Sequence, residues 1–291
     1  MSTPANGGSV IAFSHVDRTG PPATLTFVSY GVCIRLQAPA ATWLTDMEPR
    51  LPPGWRLAGG DQPDCTVSVE PRSAGYVGRV VWRDGEELAS TSVETRQHLP
   101  NLLESQIRLL VAEHATQHVF VHAGVVGWDG IAIVVPGRTF AGKTTLVAEL
   151  IRRGATYYSD EYAVFDAEGR VHPFAKPLSI RDPSIGQQRE WPIEELGGRS
   201  GNEPLSVRLI VATRFQAGAS WRPRQLSTGE GVLALLNHTV SVRRQPTRAL
   251  EVLGRIVAQA TVLEGVRGEA GELIDEIVRN VHYRDACPGI E

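Results

Sequence analysis

One stretch of this sequence has the residue types and the spacing of a phosphate-binding loop. Gly137 and Gly142 flank four residues, and Lys143 and Thr144 follow directly. The glycines allow backbone angles at which successive N–H groups point inward, and a helix beginning near Lys143 adds the positive end of its dipole. In such loops the lysine binds the β- and γ-phosphates and the hydroxyl binds Mg²⁺. The pattern predicts a nucleotide site formed by Gly137, Arg138, Thr139, Phe140, Ala141, Gly142, Lys143, Thr144 and Thr145.

A pair of carboxylates follows the loop at the end of the next predicted strand. Asp160 and Glu161 come directly after the segment Tyr-Tyr-Ser. If that strand lies beside the strand that leads into the loop, both acids face the phosphates, where one binds Mg²⁺ and the other orients a nucleophile. Adjacent carboxylates repel each other, so this placement favours a nearby cation. Two ordinary charges at a solvated strand end are the alternative.

A histidine lies in the apolar strand that precedes the loop strand. His122 is the only polar side chain in the segment VFVHAGVV. A histidine in such a strand is either a core residue satisfied by hydrogen bonds or an acid–base group of a site. The sequence pattern alone leaves both interpretations open.

Hydrophobic periodicity predicts the elements that position these residues. Residues 1–100 are rich in strand segments, with a hairpin across Asp84-Gly85, and helical spacing covers 99–116. Around the loop, strand, helix and strand follow one another, which predicts a right-handed crossover in a largely parallel sheet. Two apolar strands meet near Asp129-Gly130, and a second hairpin turns at Glu168-Gly169. A further strand is predicted at 207–215 and helices at 229–240, 246–261 and 270–282.

Composition limits the class of protein. The chain has 291 residues, 42% of them hydrophobic, which is enough for one large core and a smaller second domain. Its net charge of −3 gives no reason to expect a nucleic-acid partner. Three distant cysteines favour reduced thiols over a disulfide framework or a zinc site. No signal peptide or membrane span is apparent, so the sequence predicts a cytoplasmic protein without a membrane partner.

Three segments taken together resemble a known family. VHAGVV, GRTFAGKTT and RRGATYYSDEYAVFD, in this order, are similar to the catalytic domain of the HPr kinase family, and most of all to the HPr-kinase-related serine kinases. The resemblance covers roughly residues 115–190 and excludes the first hundred. It implies an α/β fold: a P-loop kinase domain of the HPr kinase and phosphoenolpyruvate carboxykinase type at 106–291, preceded by a smaller β-rich domain at 1–105.

The resemblance also implies roles for individual residues. It places His122 near the reacting phosphate and makes Asp160 the base towards a substrate serine, facing a space that an alcohol can enter. Glu161 then binds Mg²⁺ together with Thr144. The catalytic set is Asp160, His122 and Lys143. Lys176 and Arg181 match basic positions that meet phosphates, and plain surface cations are the alternative.

The expected activity is transfer of the γ-phosphoryl group of ATP, with Mg²⁺, to a serine of a protein or peptide. ATP is favoured because no guanine-reading N-K-x-D segment is present. The alternatives are a kinase for a sugar or amino-acid hydroxyl and a nucleotide-sensing ATPase module. The resemblance further implies a homo-oligomer. Arg243 and Arg244 are either a phosphate contact across an interface or a solvated helix end, and the first hundred residues could dock a peptide, form oligomer contacts or cap the sheet.

Overall fold

The computed structural model describes residues 22–137, 142–181 and 188–285. The fold is mixed α/β, and the chain divides into two compact units, Met1–Arg108 and Leu109–Glu291. Among the described residues, no helix combines the length and the apolar character needed to cross a membrane. Each unit is described by itself below.

The first unit is built on a six-stranded sheet. Its strands are β1 Ala23–Ser29, β2 Val32–Ala38, β3 Arg56–Leu57, β4 Cys65–Arg72, β5 Gly75–Trp82 and β6 Glu87–Val93. They lie in the order β3-β1-β2-β4-β5-β6, and only the β2–β4 pairing is parallel. The predicted hairpin across Asp84-Gly85 is confirmed as β5 and β6. Cys33 and Cys65 are buried free thiols, as expected, whereas Cys287 lies outside the described residues.

Helices complete the first unit. Helix α1, Ala41–Met47, buries Trp43, Leu44 and Met47 and was not predicted from the sequence. Short 3₁₀ helices cover Glu48–Arg50 and Arg96–His98. Helix α2, Leu99–His114, confirms the helix predicted at 99–116 and contains the boundary between the two units.

The second unit is built on an eight-stranded sheet. Its strands are β7 Val119–Trp128, β8 Ile131–Pro136, β9 Thr156–Ser159, β10 Tyr162–Phe165, β11 Arg170–His172, β14 Leu205–Phe215, β15 Arg224–Gln225 and β16 Thr261–Arg267; β12 Leu178–Arg181 and β13 Gln188–Trp191 form a separate hairpin. The order is β11-β10-β7-β8-β14-β16-β15, and β9 also pairs with β7. Its helices are α3 Lys143–Arg152, α4 Thr228–Leu236, α5 Pro246–Gln259 and α6 Ala270–Asp285, with 3₁₀ helices Ile193–Leu196 and Ser241–Arg243.

The prediction of a largely parallel sheet is wrong. Only the β8–β14 and β14–β16 pairings are parallel, and the pairings on the other side of β8 are antiparallel. The physical reason is the hairpin of β7 and β8, whose turn residues Asp129 and Gly130 both have positive φ (47° and 79°). Such a two-residue turn matches the twist of adjacent antiparallel strands and reverses the chain at once.

Apolar side chains cover both faces of this sheet. On one face the core includes Leu235 of α4 and Leu253 of α5, and on the other it includes Leu146 of α3 and Ile274 of α6. Each helix presents one apolar stripe to the sheet, as the sequence periodicity predicts. The second unit therefore has three layers, and the loop strand β8 lies inside its sheet.

Candidate active site

The predicted phosphate loop leads directly into a helix. Gly142 has the left-handed backbone angles φ 80° and ψ 17°, and α3 begins at the next residue, Lys143. Gly142, the N-cap residue of α3, supplies no side-chain hydrogen bond to the first backbone N–H groups of the helix, and such groups have no partner within the helix itself. Thr144 and Thr145 lie in the first turn of α3, and Thr145 is exposed. Gly137 is buried, and its N–H donates to the His122 carbonyl at 3.1 Å.

A glycine on β7 allows α3 to approach the sheet. A Cβ atom added at Gly124 would lie 2.6 Å from Cγ2 of Val147, a buried residue of α3. That distance is too short for any real pair of carbon atoms, so the helix can sit at this height only above a glycine. Sequence reasoning did not assign a role to Gly124, although an unexplained glycine within a strand signals a close approach of this kind.

The acid pair occupies a break between two strands that share one partner. β9 and β10 both pair antiparallel with β7, and Asp160 and Glu161 connect them. The Ala123 N–H donates to the Glu161 carbonyl at 3.1 Å, which keeps this break in register with β7. The acid strand does not lie directly beside β8, which was the condition considered from the sequence, because β7 lies between them. Since β8 and β9 are both antiparallel to β7, their ends nevertheless reach the same edge.

Asp160 lies beside the first turn of α3. The Thr144 hydroxyl donates to Asp160 Oδ2 at 3.3 Å, and the Tyr157 hydroxyl donates to Oδ1 at 3.1 Å. Lys176 Nζ is 3.3 Å from the same Oδ1. The expected proximity between the acid pair and the hydroxyl of the loop is therefore present. Burial, with the Asp160 carboxylate as the next contribution, raises the pKa of the Tyr157 phenol well above its usual value.

The Asp160 carboxylate does not face an open space. Its side chain is 4% exposed, because Thr144, Tyr157 and Lys176 cover it. This differs from the expectation that an incoming alcohol can reach it. The Glu161 side chain is 23% exposed, with Oε2 3.9 Å from Lys176 Nζ. Of the two acids, Glu161 has the more exposed side chain, although its Oε2 atom is itself buried.

Lys176 binds both acids of the pair. Its ammonium group contacts Asp160 and Glu161, and its side chain is 17% exposed. A cation at this place offsets the repulsion that two adjacent carboxylates would otherwise experience. The sequence pattern had left Lys176 undecided between a phosphate contact and a plain surface cation. Its ion pairs argue against a plain surface role, and contact with a phosphate stays a prediction.

His122 lies between the loop and the acid pair. Its backbone N–H donates to the His238 carbonyl at 2.8 Å, and its ring centroid lies 4.8 Å from that of Tyr162. Burial lowers the pKa of His122, and the charges of Lys143 and His238 lower it further, while a hydrogen bond with the Glu161 backbone opposes them. The ring is therefore neutral at pH 7 and able to accept a proton.

Lys143 is partly withdrawn from solvent. Burial lowers the pKa of its ammonium group, and the nearby charges of Asp160 and Glu161 oppose that decrease. A less strongly hydrated ammonium group loses less solvation when an anion binds. The lysine thus lies at the start of α3 with both acids close enough to act on it electrostatically.

Arg267 is a further residue of the site that sequence reasoning missed. This arginine ends β16, is 3% exposed, and donates from Nη2 to the Gly142 carbonyl at 3.1 Å and from Nη1 to the Gly268 carbonyl at 3.0 Å. Burial lowers its pKa, which Glu269 partly opposes. A Cβ atom added at Gly142 would lie 2.5 Å from Nη2 of Arg267, so the arginine can take this position only because residue 142 has no side chain. The strand TVLEGVR had the apolar pattern that could have signalled β16.

The remaining predicted residues divide into two groups. Arg243 and Arg244 are exposed at a 3₁₀ helix and its end, and no contact among the described residues assigns them a role. Residues 138–141 of the loop, which are Arg138, Thr139, Phe140 and Ala141, lie outside the described residues, and so does the side chain of Arg181.

The side chains present fit a phosphate group and a hard divalent cation. A left-handed glycine, uncapped helical N–H groups and a partly buried lysine are suited to an anion. The Thr144 hydroxyl and the two carboxylates offer the oxygen donors that Mg²⁺ prefers, and Mg²⁺ commonly completes its shell with water and phosphate oxygens. Within the described ranges, no group of three or more His, Cys, Asp or Glu side chains could hold a metal ion by itself.

Comparisons with known proteins find similarity only among solved structures. Neither a protein-family model nor a curated protein sequence matches the chain. Among solved structures, the Hpr(Ser) kinase/phosphatase from Coxiella burnetii is similar to this chain, with 13% sequence identity and a TM-score of 0.31. The match covers 57% of this chain and 95% of that one. At this distance the likeness carries no inference about activity.

Proposed function

We propose that this protein is an ATP-dependent kinase that transfers the γ-phosphoryl group to a serine hydroxyl of a protein or peptide. The observation that supports it most directly is the 3.3 Å contact between the Thr144 hydroxyl and the Asp160 carboxylate. This contact joins the loop that is suited to phosphate to an acid pair with a solvent-accessible member. When bound, ATP supplies the phosphoryl group and Mg²⁺ offsets its charge.

The geometry favours an exchange of the two carboxylate roles implied by the family resemblance. Asp160 is buried and accepts a hydrogen bond from Thr144, so these two side chains together are suited to bind Mg²⁺. Glu161 is more exposed, so it is suited to accept a hydrogen bond from the acceptor hydroxyl and hold it in line. Lys143 and the first N–H groups of α3 stabilise the negative charge of the phosphates. His122, neutral at pH 7, shares or accepts the proton.

The activity is tested with radiolabelled ATP and Mg²⁺ offered to the protein with serine peptides, with free serine, with a sugar mixture and with no acceptor. Label on a peptide supports the proposal. Label on serine or sugar alone identifies a small-molecule kinase, and label released only as inorganic phosphate identifies a nucleotide-sensing ATPase. If no arm consumes ATP above the level of the Lys143→Ala variant, the proposed function is wrong.

The carboxylate roles are tested with Asp160→Asn and Glu161→Gln. Asp160→Asn should weaken MgATP binding because it removes a charge from the metal side, and should lower kcat about 100-fold. Glu161→Gln should also lower kcat about 100-fold, with MgATP affinity close to wild type. Titration calorimetry and initial rates measure the two quantities. The opposite result, with binding lost only in Glu161→Gln, would restore the roles that the resemblance implies.

A further inference from the structure

A second recess opens on the other side of the loop strand. It is a cleft of about 840 Å³ whose walls include Gly137, Arg214, Arg222, Arg224, His238 and Glu264. In the sheet, β14 and β16 lie on the opposite side of β8 from β7, which pairs with the acid strands. The cleft is therefore a separate surface that meets the phosphate loop at its first glycine.

The position of the cleft in the sheet is one that favours ligand binding. β8, β14 and β16 are parallel to one another, and the residues that they contribute to the cleft lie in their carboxyl-terminal halves or directly after them. In α/β sheets, ligands bind in the crevice at this end of parallel strands, although here β11 also joins β10 to β14. The cleft also adjoins the candidate active site. The backbone carbonyl of His238, a residue of the cleft wall, accepts a hydrogen bond from the backbone N–H of His122 at 2.8 Å.

Two arginines give the cleft an unbalanced positive charge. Arg224 is paired with two carboxylates, since its guanidinium lies 2.8 Å from Glu264 Oε2 and 2.7 Å from Glu230 Oε1. With Arg214 and Arg222, three arginines therefore face two glutamates, and one positive charge remains. Arg214 and Arg222 are exposed, and within the described part of the chain no carboxylate lies within 4 Å of either guanidinium. The planar guanidinium fork matches a carboxylate with two parallel hydrogen bonds.

We propose that this cleft binds the phosphoryl acceptor and that Arg214 and Arg222 hold a carboxylate of that acceptor. The inference rests on the proposed kinase function and names the substrate class: an acidic molecule that carries the hydroxyl. The backbone hydrogen bond between His122 and His238 places one wall of the cleft beside strand β7, which carries His122, and this proximity favours the acceptor over the nucleoside. The carboxylate can come from an acidic peptide or from a small hydroxy acid.

The test measures binding to the full-length protein without nucleotide. The probes are a fluorescent peptide Glu-Glu-Ser-Glu-Glu and a matched peptide Gln-Gln-Ser-Gln-Gln, followed by fluorescence anisotropy. Wild type should prefer the acidic peptide, and Arg214→Gln with Arg222→Gln should weaken its binding about 10-fold or more. Arg208→Gln is the control for each single substitution: it removes one positive charge from an exposed arginine of β14, about 20 Å from Arg214 towards the amino end of the strand.

Competition with malate distinguishes the two sources of the carboxylate. Displacement of the acidic peptide by malate assigns the cleft to small hydroxy acids, and displacement by unlabelled peptide alone assigns it to a polypeptide. Both outcomes support the proposal, provided that the doubly substituted variant retains the thermal midpoint of wild type.

Three outcomes would overturn the proposal. The first is equal binding of the two peptides by wild type, and the second is a loss of binding in Arg208→Gln as large as that in the double variant. The third is a double variant that loses MgATP affinity while retaining the acidic peptide. The last result would assign the cleft to the nucleotide. A wild type that binds no MgATP would instead contradict the proposed function, and the peptide measurements, made without nucleotide, would still report on the cleft.

Discussion

Three side chains contact the Asp160 carboxylate: the hydroxyl of Tyr157 in the preceding strand β9, the hydroxyl of Thr144 in α3 and the ammonium group of Lys176. Tyr157, Thr144 and Lys176 occupy both of its oxygens, so the orientation of this carboxylate is fixed before any ligand binds. Groups that are oriented in advance need no reorganisation when charge develops, which is the main requirement for electrostatic catalysis. The same arrangement withdraws the carboxylate from solvent and leaves Glu161 as its accessible neighbour.

At the residue scale, removing the ammonium group should reveal how much it stabilises the pair. Lys176→Met leaves two carboxylates without their cation and should lower the free energy of unfolding by roughly 3 kcal/mol. Urea denaturation at pH 8 measures this loss. Adding Asp160→Asn to Lys176→Met should cost less than Asp160→Asn costs in wild type, because the charge that it removes is then unpaired. Strictly additive effects of the two substitutions would contradict a coupled pair.

At the element scale, the height of α3 above the sheet depends on one glycine. Gly124→Ala places a methyl group against Val147 and should destabilise the protein by roughly 1–3 kcal/mol, because the helix or the strand has to move. In a Val147→Ala background the same substitution should cost less. Chemical denaturation of the four proteins gives this coupling.

Gly254 provides the matched control for that prediction. It lies within α5, and an added Cβ atom there would meet nothing within 4 Å. Gly254→Ala should leave stability unchanged or increase it by up to about 1 kcal/mol, since alanine is the better helix former. An equal loss from Gly124→Ala and Gly254→Ala would mean that the close approach of α3 is not what makes Gly124 necessary.

At this scale the sequence predicted the individual helices and strands better than it predicted which strands lie side by side in the sheet. Helices α2 to α6 and the strands around the loop follow from periodicity and turn residues, which act over a few positions. The strand that lies beside β8 is determined by contacts between residues distant in sequence. The position of β7 between β8 and the strands β9 and β10 was therefore not predicted. For the same reason the motif located Lys143, Thr144 and Asp160, whereas Gly124 and Arg267 were missed, because their roles depend on what approaches them in space.

At the scale of the whole molecule, two half-buried histidines make stability depend on pH. Burial is the main cause that lowers the pKa of His118 and of His122 in the folded protein. In the unfolded chain a histidine titrates near 6.5. Below that pH the unfolded chain binds protons that the folded protein resists, so acid favours unfolding. Asp166, whose pKa is also lowered by its hydrogen bonds to His172 and Arg170 despite its burial, adds to this loss only below about pH 4.

The urea midpoint should therefore fall between pH 7.5 and pH 5.5. The difference should become smaller in a variant that carries His118→Gln and His122→Gln, because two groups responsible for it are removed. His98→Gln, at an exposed position of the first unit, should leave the difference as it is in wild type. A midpoint that rises towards pH 5.5 would contradict the lowered histidine pKa values.

Strand β7 sets the register of both the phosphate loop and the acid pair. It forms hydrogen bonds with the loop strand β8 on one side and with the strands that flank Asp160 and Glu161 on the other. A residue inserted into or deleted from β7 would turn its side chains to the opposite faces and displace both partners together. Substitutions in this strand should therefore be tolerated better than insertions or deletions, and changes in chain length belong at the turns on either side of it.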